Sequence, residues 1–229
     1  MYSTLKQTEK PNMNIKLYGY WRSSASYRVR IALQLKKLEF EYIPVHLVNN
    51  GGEQKSEAYR RLNPSMLVPT FIDADEDITL NQSLAIIEYL DEKYPSESPF
   101  LPQDPLDRAR IRIIAQDIAC DIQPVTNLRV LNKLKSDFHA DGEMVGKWAH
   151  DLIYAGFVAL EKRLLSRAGK YAYGYSVSLA DICLVPQVYN ALRFEVDMKS
   201  FPIINKVYTN CQALDPFIQA APENQTDAT

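Results

Sequence analysis

The sequence predicts a chain in two parts, an α/β layer of about 80 residues followed by an all-helical half. Three observations carry this. Up to Pro95, short β-like runs alternate with helical patterns in the order β-α-β-loop-β-β-α. Pro95, Pro99, Pro102 and Pro105 then stiffen a linker. From Asp107 onward the apolar residues recur at helical spacing, and no convincing strand is found.

Each element follows from its local pattern. Ile15–Tyr18 alternates as a strand, and Ala25–Leu38 has the spacing of a helix that ends on Lys36 and Lys37. Glu41–Val45 is a second strand, with Pro44 marking an edge or a strand end. The Asn-Asn-Gly-Gly run makes His46–Lys55 a loop. Thr70–Asp73 and Ile78–Leu80 bracket an acidic turn and form a hairpin. Ser83–Tyr94 is a helix with Ser83 as its cap. In the second half, Asp107–Lys135, Gly142–Ala168 and Ser178–Leu192 are helical, the last opened by the capping box Ser178-Leu179-Ala180-Asp181. Pro202 precedes a further short helix, and the polar tail from Pro222 is expected to fray. Residues 1–12 are polar and are expected to be a disordered extension, with Met13 an alternative start. The expected units are 13–94, a linker 95–105, and 106–222, with a flexible tail at 223–229.

Composition narrows the function. The chain has 229 residues, 26 Lys+Arg against 28 Asp+Glu, and 46% hydrophobic residues. This excludes intrinsic disorder, and near-neutral charge argues against a nucleic-acid or anionic-membrane surface. No apolar run reaches the ~18 residues a membrane span needs. Cys120, Cys183 and Cys211 are widely spaced among apolar neighbours, which points to buried, free thiols in a reducing compartment, the cytoplasm. His46, His139 and His150 are scattered, so neither a metal site nor a His-based nucleophile is expected.

Three features can carry chemistry. Ser23-Ser24-Ala25-Ser26 lies between the first strand and first helix, where hydroxyls and free N–H groups gather at a positive helix end able to hold an anion or a thiolate; plain N-capping explains the same serines. Val68-Pro69-Thr70 enters the third strand and is a candidate cis peptide whose backbone could pair with an extended ligand; a trans strand-edge proline is the alternative. Gln82-Ser83 stands at another strand-to-helix junction and suits a carboxylate, or again a cap.

Together these runs resemble a glutathione transferase of the zeta class, which includes the maleylacetoacetate isomerases. The resemblance rests on Ser23-Ser24-Ala25-Ser26-Tyr27-Arg28-Val29-Arg30-Ile31-Ala32-Leu33, on Asn63-Pro64 with Val68-Pro69-Thr70, and on Gln82-Ser83-Leu84-Ala85-Ile86-Ile87-Glu88-Tyr89-Leu90. Leu101–Pro105, Ile122-Gln123-Pro124, Asn127-Leu128-Arg129 and Leu184–Ala191 extend it, and it runs from about Met13 to about Pro222. It implies a thioredoxin-like glutathione-binding domain followed by an all-helical substrate domain, in a homodimer.

The resemblance further implies a glutathione-dependent cis–trans isomerase acting on maleylacetoacetate, in tyrosine and phenylalanine degradation. The alternatives are maleylpyruvate or α-halo acids as substrates, or a non-catalytic scaffold that shares the fold. By position, Ser23 and Ser24 would face the glutathione sulfur, with Ala25, Ser26, Tyr27 and Arg28 beside them. Val68 would pair with the peptide backbone, Gln82 and Ser83 would hold the γ-glutamyl end, and Gln54 would reach the glycyl end. Gln123, Asn127, Leu128 and Arg129 would line the cleft, some from the partner subunit. Arg193 would meet a substrate carboxylate, with Arg28 a second cation for it. Two departures stand out: Ala25 replaces the signature cysteine, and Tyr27 a frequent tryptophan. The first removes a protein thiol beside glutathione; isomerisation, whose nucleophile is glutathione, does not need it.

Overall fold

The computed structural model describes residues 14–96 and 98–229, so the expectations for residues 1–12 and Met13 lie outside the described residues. Four strands, β1 (Ile15–Gly19), β2 (Glu41–Pro44), β3 (Thr70–Asp73) and β4 (Ile78–Asn81), form one sheet in the order β2-β1-β3-β4. β1 and β2 are parallel, which requires a crossover, and α1 (Ser24–Leu35) provides it. β3 runs antiparallel to both β1 and β4. α1 is covered by α3 (Ser83–Lys93) and by α8 (Leu179–Arg193) and α10 (Asp215–Ala220) of the second half. Every residue from Ser26 to Leu33 is therefore buried, including Arg28 and Arg30, as befits a helix surrounded on all sides.

The loop after β2 contains a helix that the sequence reading missed. α2 (Glu57–Leu62) is only six residues long and opens on Ser56, whose hydroxyl accepts from the Tyr59 N–H at 3.2 Å. The single helix expected over Asp107–Lys135 is broken. α4 (Pro105–Gln116) passes into a π-helical turn, Asp117–Ile122, then into the short α5 (Gln123–Val125), and α6 (Leu128–Phe138) starts afresh. Pro124 cannot donate to a continuous ladder, and Asn127 caps α6 by accepting from the Val130 N–H at 3.1 Å. The π turn pushes Ile122 against Gly156 of α7 (Gly142–Leu164), where any Cβ would collide with it. α9 (Pro202–Gln212) precedes α10.

The expected linker and the tail expected to fray both make specific contacts with the fold. In the proline-rich stretch, Phe100 and Leu101 are buried and their N–H groups donate to Asp91 at 2.9 and 3.1 Å; Asp91 also pairs with the buried Lys36 at 2.7 Å. In the tail after Pro222, expected to fray, polar side chains find backbone partners. Asn224 donates to the Ile218 carbonyl, Gln225 to the Ala221 carbonyl, and Asp227 accepts from the Trp21 N–H. Cys183 and Cys211 are buried as expected, but Cys120, on the π turn, is exposed.

Candidate active site

Strand register gathers the three sequence features at one edge of the sheet. Tyr18 of β1 pairs with Thr70 of β3, and Thr70 with Asn81 of β4. The chain leaving β1 toward Ser23, the chain entering β3 through Val68-Pro69, and the chain leaving β4 through Gln82-Ser83 thus lie side by side. β2 is parallel to β1, and the Val45 N–H donates to the Gly19 carbonyl at 2.7 Å, so the loop carrying Gln54 leaves from the same edge.

Ser23 is the N-cap of α1: its hydroxyl oxygen accepts from the Ser26 N–H at 3.2 Å. An oxygen that accepts in a cap still carries its own O–H, so Ser23 can donate outward while capping. Ser24 is the first helical residue and half-buried. The Val68–Pro69 peptide is cis. The loop before it is built by Asn63, whose side-chain amide donates to the Leu67 carbonyl at 2.7 Å, and by Tyr59, whose hydroxyl donates to the same carbonyl at 2.8 Å. Gln82 has φ +72° in a non-glycine residue, a strained conformation, and its exposed side chain makes no cap bond to α3. Gln54 bends back over Gly52 (φ +103°), and its buried Oε1 has no partner.

Behind Ser83 sits a buried cation. Nη1 of Arg28 donates to the Ser83 hydroxyl oxygen at 3.2 Å, while its Nε and Nη2 have no partner. The arginine ion pairs among the described residues belong to Arg61, Arg110, Arg112 and Arg163. Burial lowers the Arg28 pKa. Ser26, Tyr27 and Arg28 are exposed by only 0%, 1% and 2%. They build the wall of the site rather than its surface. Ser26 accepts from the Tyr20 N–H at 3.4 Å, and Tyr27 packs edge-on to Tyr189 with ring centres 6.3 Å apart.

The mouth of the site adds an arginine the sequence reading missed. Arg22 precedes Ser23, lies over the Trp21 ring at 5.0 Å, and is half-buried. Arg193, at the end of α8, lies over the Phe194 ring at 5.1 Å. Its pKa is lowered, first by the atoms crowding its guanidinium and next by the like charge of Arg22. Two unpaired cations that feel each other make a place for an anion. The signal for Arg22 was its position in the same strand-to-helix turn as the serines.

The other expected residues stand in the second half of the chain, on and between α5 and α6. Asn127 spends its side chain on capping α6; Gln123, Leu128 and Arg129 flank it on α5 and α6, which pack against α7. An open cleft of about 600 Å³ between the end of α1, β2 and α10 is lined by Lys37, Glu39, Tyr42 and Asp215, among others, and holds none of the site residues. Among the described residues no cluster of His, Cys, Asp or Glu is placed to hold a metal ion. Burial pushes the Cys183 thiol up to about 11, which leaves it unreactive.

Comparison with known proteins identifies the family. Residues 17–99 match the family model for the glutathione S-transferase N-terminal domain. A probable maleylacetoacetate isomerase of Vibrio cholerae is 49% identical, covering 94% of this chain and 99% of its own. A solved holo structure of a maleylpyruvate isomerase, described as a bacterial zeta-class glutathione transferase, superposes with a TM-score of 0.88 at 43% identity, covering 93% of this chain and 100% of that one. A maleylacetoacetate isomerase of Anaeromyxobacter dehalogenans, solved with glutathione bound in its active site, gives 0.85 at 39% identity over 94% of this chain and 98% of its own. With the zeta signature on α1, the strand order of the sheet and similarity along nearly the whole chain, this protein belongs to the zeta-class glutathione transferases.

Proposed function

We propose that this chain is a glutathione-dependent cis–trans isomerase that converts maleylacetoacetate to fumarylacetoacetate. The observation that carries the reading is the convergence of Ser23-Ser24, Val68 and Gln82-Ser83 at one sheet edge, with Arg22 in the same turn and close enough to Arg193 for their charges to act on each other.

The residues present fit glutathione. Among the described residues the Val68 N–H and C=O are taken by no hydrogen bond, and Gln54 Oε1 is buried without a partner. The Ser83 oxygen already accepts from Arg28, so its O–H is directed to an outside acceptor such as the γ-glutamyl carboxylate. When bound, glutathione supplies a thiolate that adds to the substrate double bond, makes it single long enough to rotate, and leaves unchanged. The chain's part is to hold that thiol charged. Ser23, with Ser24 second, donates an O–H toward the sulfur, and the N-terminus of α1 adds its positive end; both lower a thiol pKa from about 8.5. Arg22 and Arg193 hold the two carboxylates. Ala25 leaves this chemistry intact, since no step asks for a protein thiol.

The assembly we infer is a homodimer, supported by Leu106 and Ile113, exposed on one face of α4 seven residues apart. The cytoplasm is the proposed location, supported by three free cysteines; among the described residues no helix is long and apolar enough to cross a membrane.

The test is turnover of maleylacetoacetate with and without glutathione, beside maleylpyruvate and dichloroacetate. Turnover of maleylacetoacetate that vanishes without glutathione is expected. Activity that persists without glutathione, or a clear preference for the halo acid, would replace this reading.

A further inference from the structure

The strand-to-helix turn that carries Arg22 and Ser23 is finished by the other end of the chain. A turn outside helix and sheet must find partners for its backbone polar groups. The Ser23 N–H donates to the Tyr20 carbonyl at 2.9 Å. The Trp21 carbonyl accepts from Nη2 of Arg30 at 2.9 Å. The Trp21 N–H donates to Oδ2 of Asp227 at 3.1 Å, a partner 206 positions away in sequence.

Asp227 is delivered by a tail with its own supports. Asn224 donates to the Ile218 carbonyl at 2.7 Å, and Gln225 to the Gln219 and Ala221 carbonyls at 3.0 and 2.8 Å. Arg30 joins the two ends from inside: it is 1% exposed, and its Nε donates to the Ala220 carbonyl at 2.9 Å. Arg30 meets backbone carbonyls rather than a carboxylate, and the acid whose charge acts on it is Asp227. The other oxygen of Asp227, Oδ1, is buried beside the turn with no partner. One carboxylate thus accepts from the turn's N–H and sits within the field of the cation holding the turn's C=O.

We propose that Asp227 is a positioning residue of the active site: by accepting from the Trp21 N–H, it fixes the turn so that Arg22 and Ser23 face bound glutathione and substrate. The inference rests on the function proposed above. Asp227 touches neither ligand; it acts through one peptide. A bond from an N–H to a charged oxygen is about twice as strong as a neutral one, and slack of about 1 Å at a reacting group costs ~100-fold in rate.

The test compares Asp227→Ala with Asp227→Asn, since asparagine keeps an acceptor oxygen for the Trp21 N–H. Asp227→Ala should lower kcat/KM for the isomerisation roughly tenfold, weaken glutathione binding measured by calorimetry, and move the pH–rate profile upward as Ser23 loses the sulfur. Asp227→Asn should recover most of each loss. An alanine variant with the wild-type profile, glutathione affinity and kcat/KM overturns the proposal. So does a loss in both variants that follows their unfolding temperatures, because the tail would then serve stability alone. If Asp227→Ala does not fold, Asp227→Glu keeps the charge near Arg30 but displaces the oxygen, and wild-type kinetics in it overturns the proposal equally. Failure of the wild-type protein to bind glutathione would instead remove the functional reading itself.

Discussion

Replacing Arg28 by methionine should stabilise the fold and weaken glutathione binding at the same time. The guanidinium is 2% exposed, makes one hydrogen bond, to Ser83, and leaves Nε and Nη2 without partners. Each buried donor left unpaired costs about 1–3 kcal/mol, while the single charge-assisted bond returns about 1.5–3 kcal/mol. Methionine fills a similar length without polar atoms, so a gain of about 1–3 kcal/mol in unfolding free energy is expected, within the range of ~1–4 kcal/mol seen when buried ions give way to apolar groups. Binding should suffer because the Ser83 oxygen loses the donor that orients its O–H outward, and because a cation behind the ligand carboxylate is lost. One such interaction is worth roughly 1.5 kcal/mol, or about tenfold in affinity. Urea unfolding and a calorimetric glutathione titration measure the two halves. A variant that is less stable and binds glutathione as well as the wild type would refute the reasoning, and Arg28 would then be a packing residue of the α1–α3–α8 contact.

Three further outcomes are expected. Ser23→Ala should cost about 1 kcal/mol of stability through the lost cap and slow isomerisation at neutral pH, with partial recovery at higher pH; Ser24→Ala should do neither to the same degree, and pH–rate profiles with thermal melts of both variants check this. Gln82→Ala and Ser83→Ala should each weaken glutathione binding about ten- to a hundredfold by calorimetry, Ser83→Ala also stranding Arg28 entirely. Asp181 should set an acid-side stability term. Burial lifts its carboxyl from 3.8 to about 6, outweighing the hydrogen bonds it accepts from Ala172 and Ser178. A raised folded-state pKa favours the protonated form, so this share of stability is fully present below the ordinary carboxyl value and is lost as pH rises through about 6. It amounts to roughly 3 kcal/mol, and the difference between wild-type and Asp181→Asn unfolding curves from pH 4 to pH 7 isolates it.

What could be read from the sequence depended on whether a signal was local. β1, α1 and the β3–β4 hairpin were legible because period-2 and 3.6-residue patterns and Ser23 sit within a few neighbours of one another. α2 was not, because six residues give barely two turns of periodicity and the Gly-Gly run ahead of it reads as loop. The break after Gln116 was hidden for the opposite reason. The apolar spacing carries on through Ile118 and Ile122, and what interrupts the helix is tertiary: Gly156, 34 positions past Ile122 on a different helix, lets the π turn press in.

The same distinction divides the site. Its shared edge follows from sheet register, which joins Tyr18, Thr70 and Asn81, and no local pattern reports that pairing; the motif resemblance supplied it instead. The motif also overstated some roles. It is contiguous along α1, but a helix turns about 100° per residue, so a run that begins at the ligand must carry its next residues into the core. Ser26, Tyr27 and Arg28 are those residues, buried against Tyr20, Tyr189 and Ser83. Arg22 shows the converse. It stands outside the helix, its position is set by the Trp21 peptide, and that peptide is held by Arg30 and Asp227, 9 and 206 positions from Trp21 along the chain. The place of Arg22 in the turn with the serines is its local signal, but the bond that fixes that turn comes from the far end of the chain and leaves no trace beside it in the sequence.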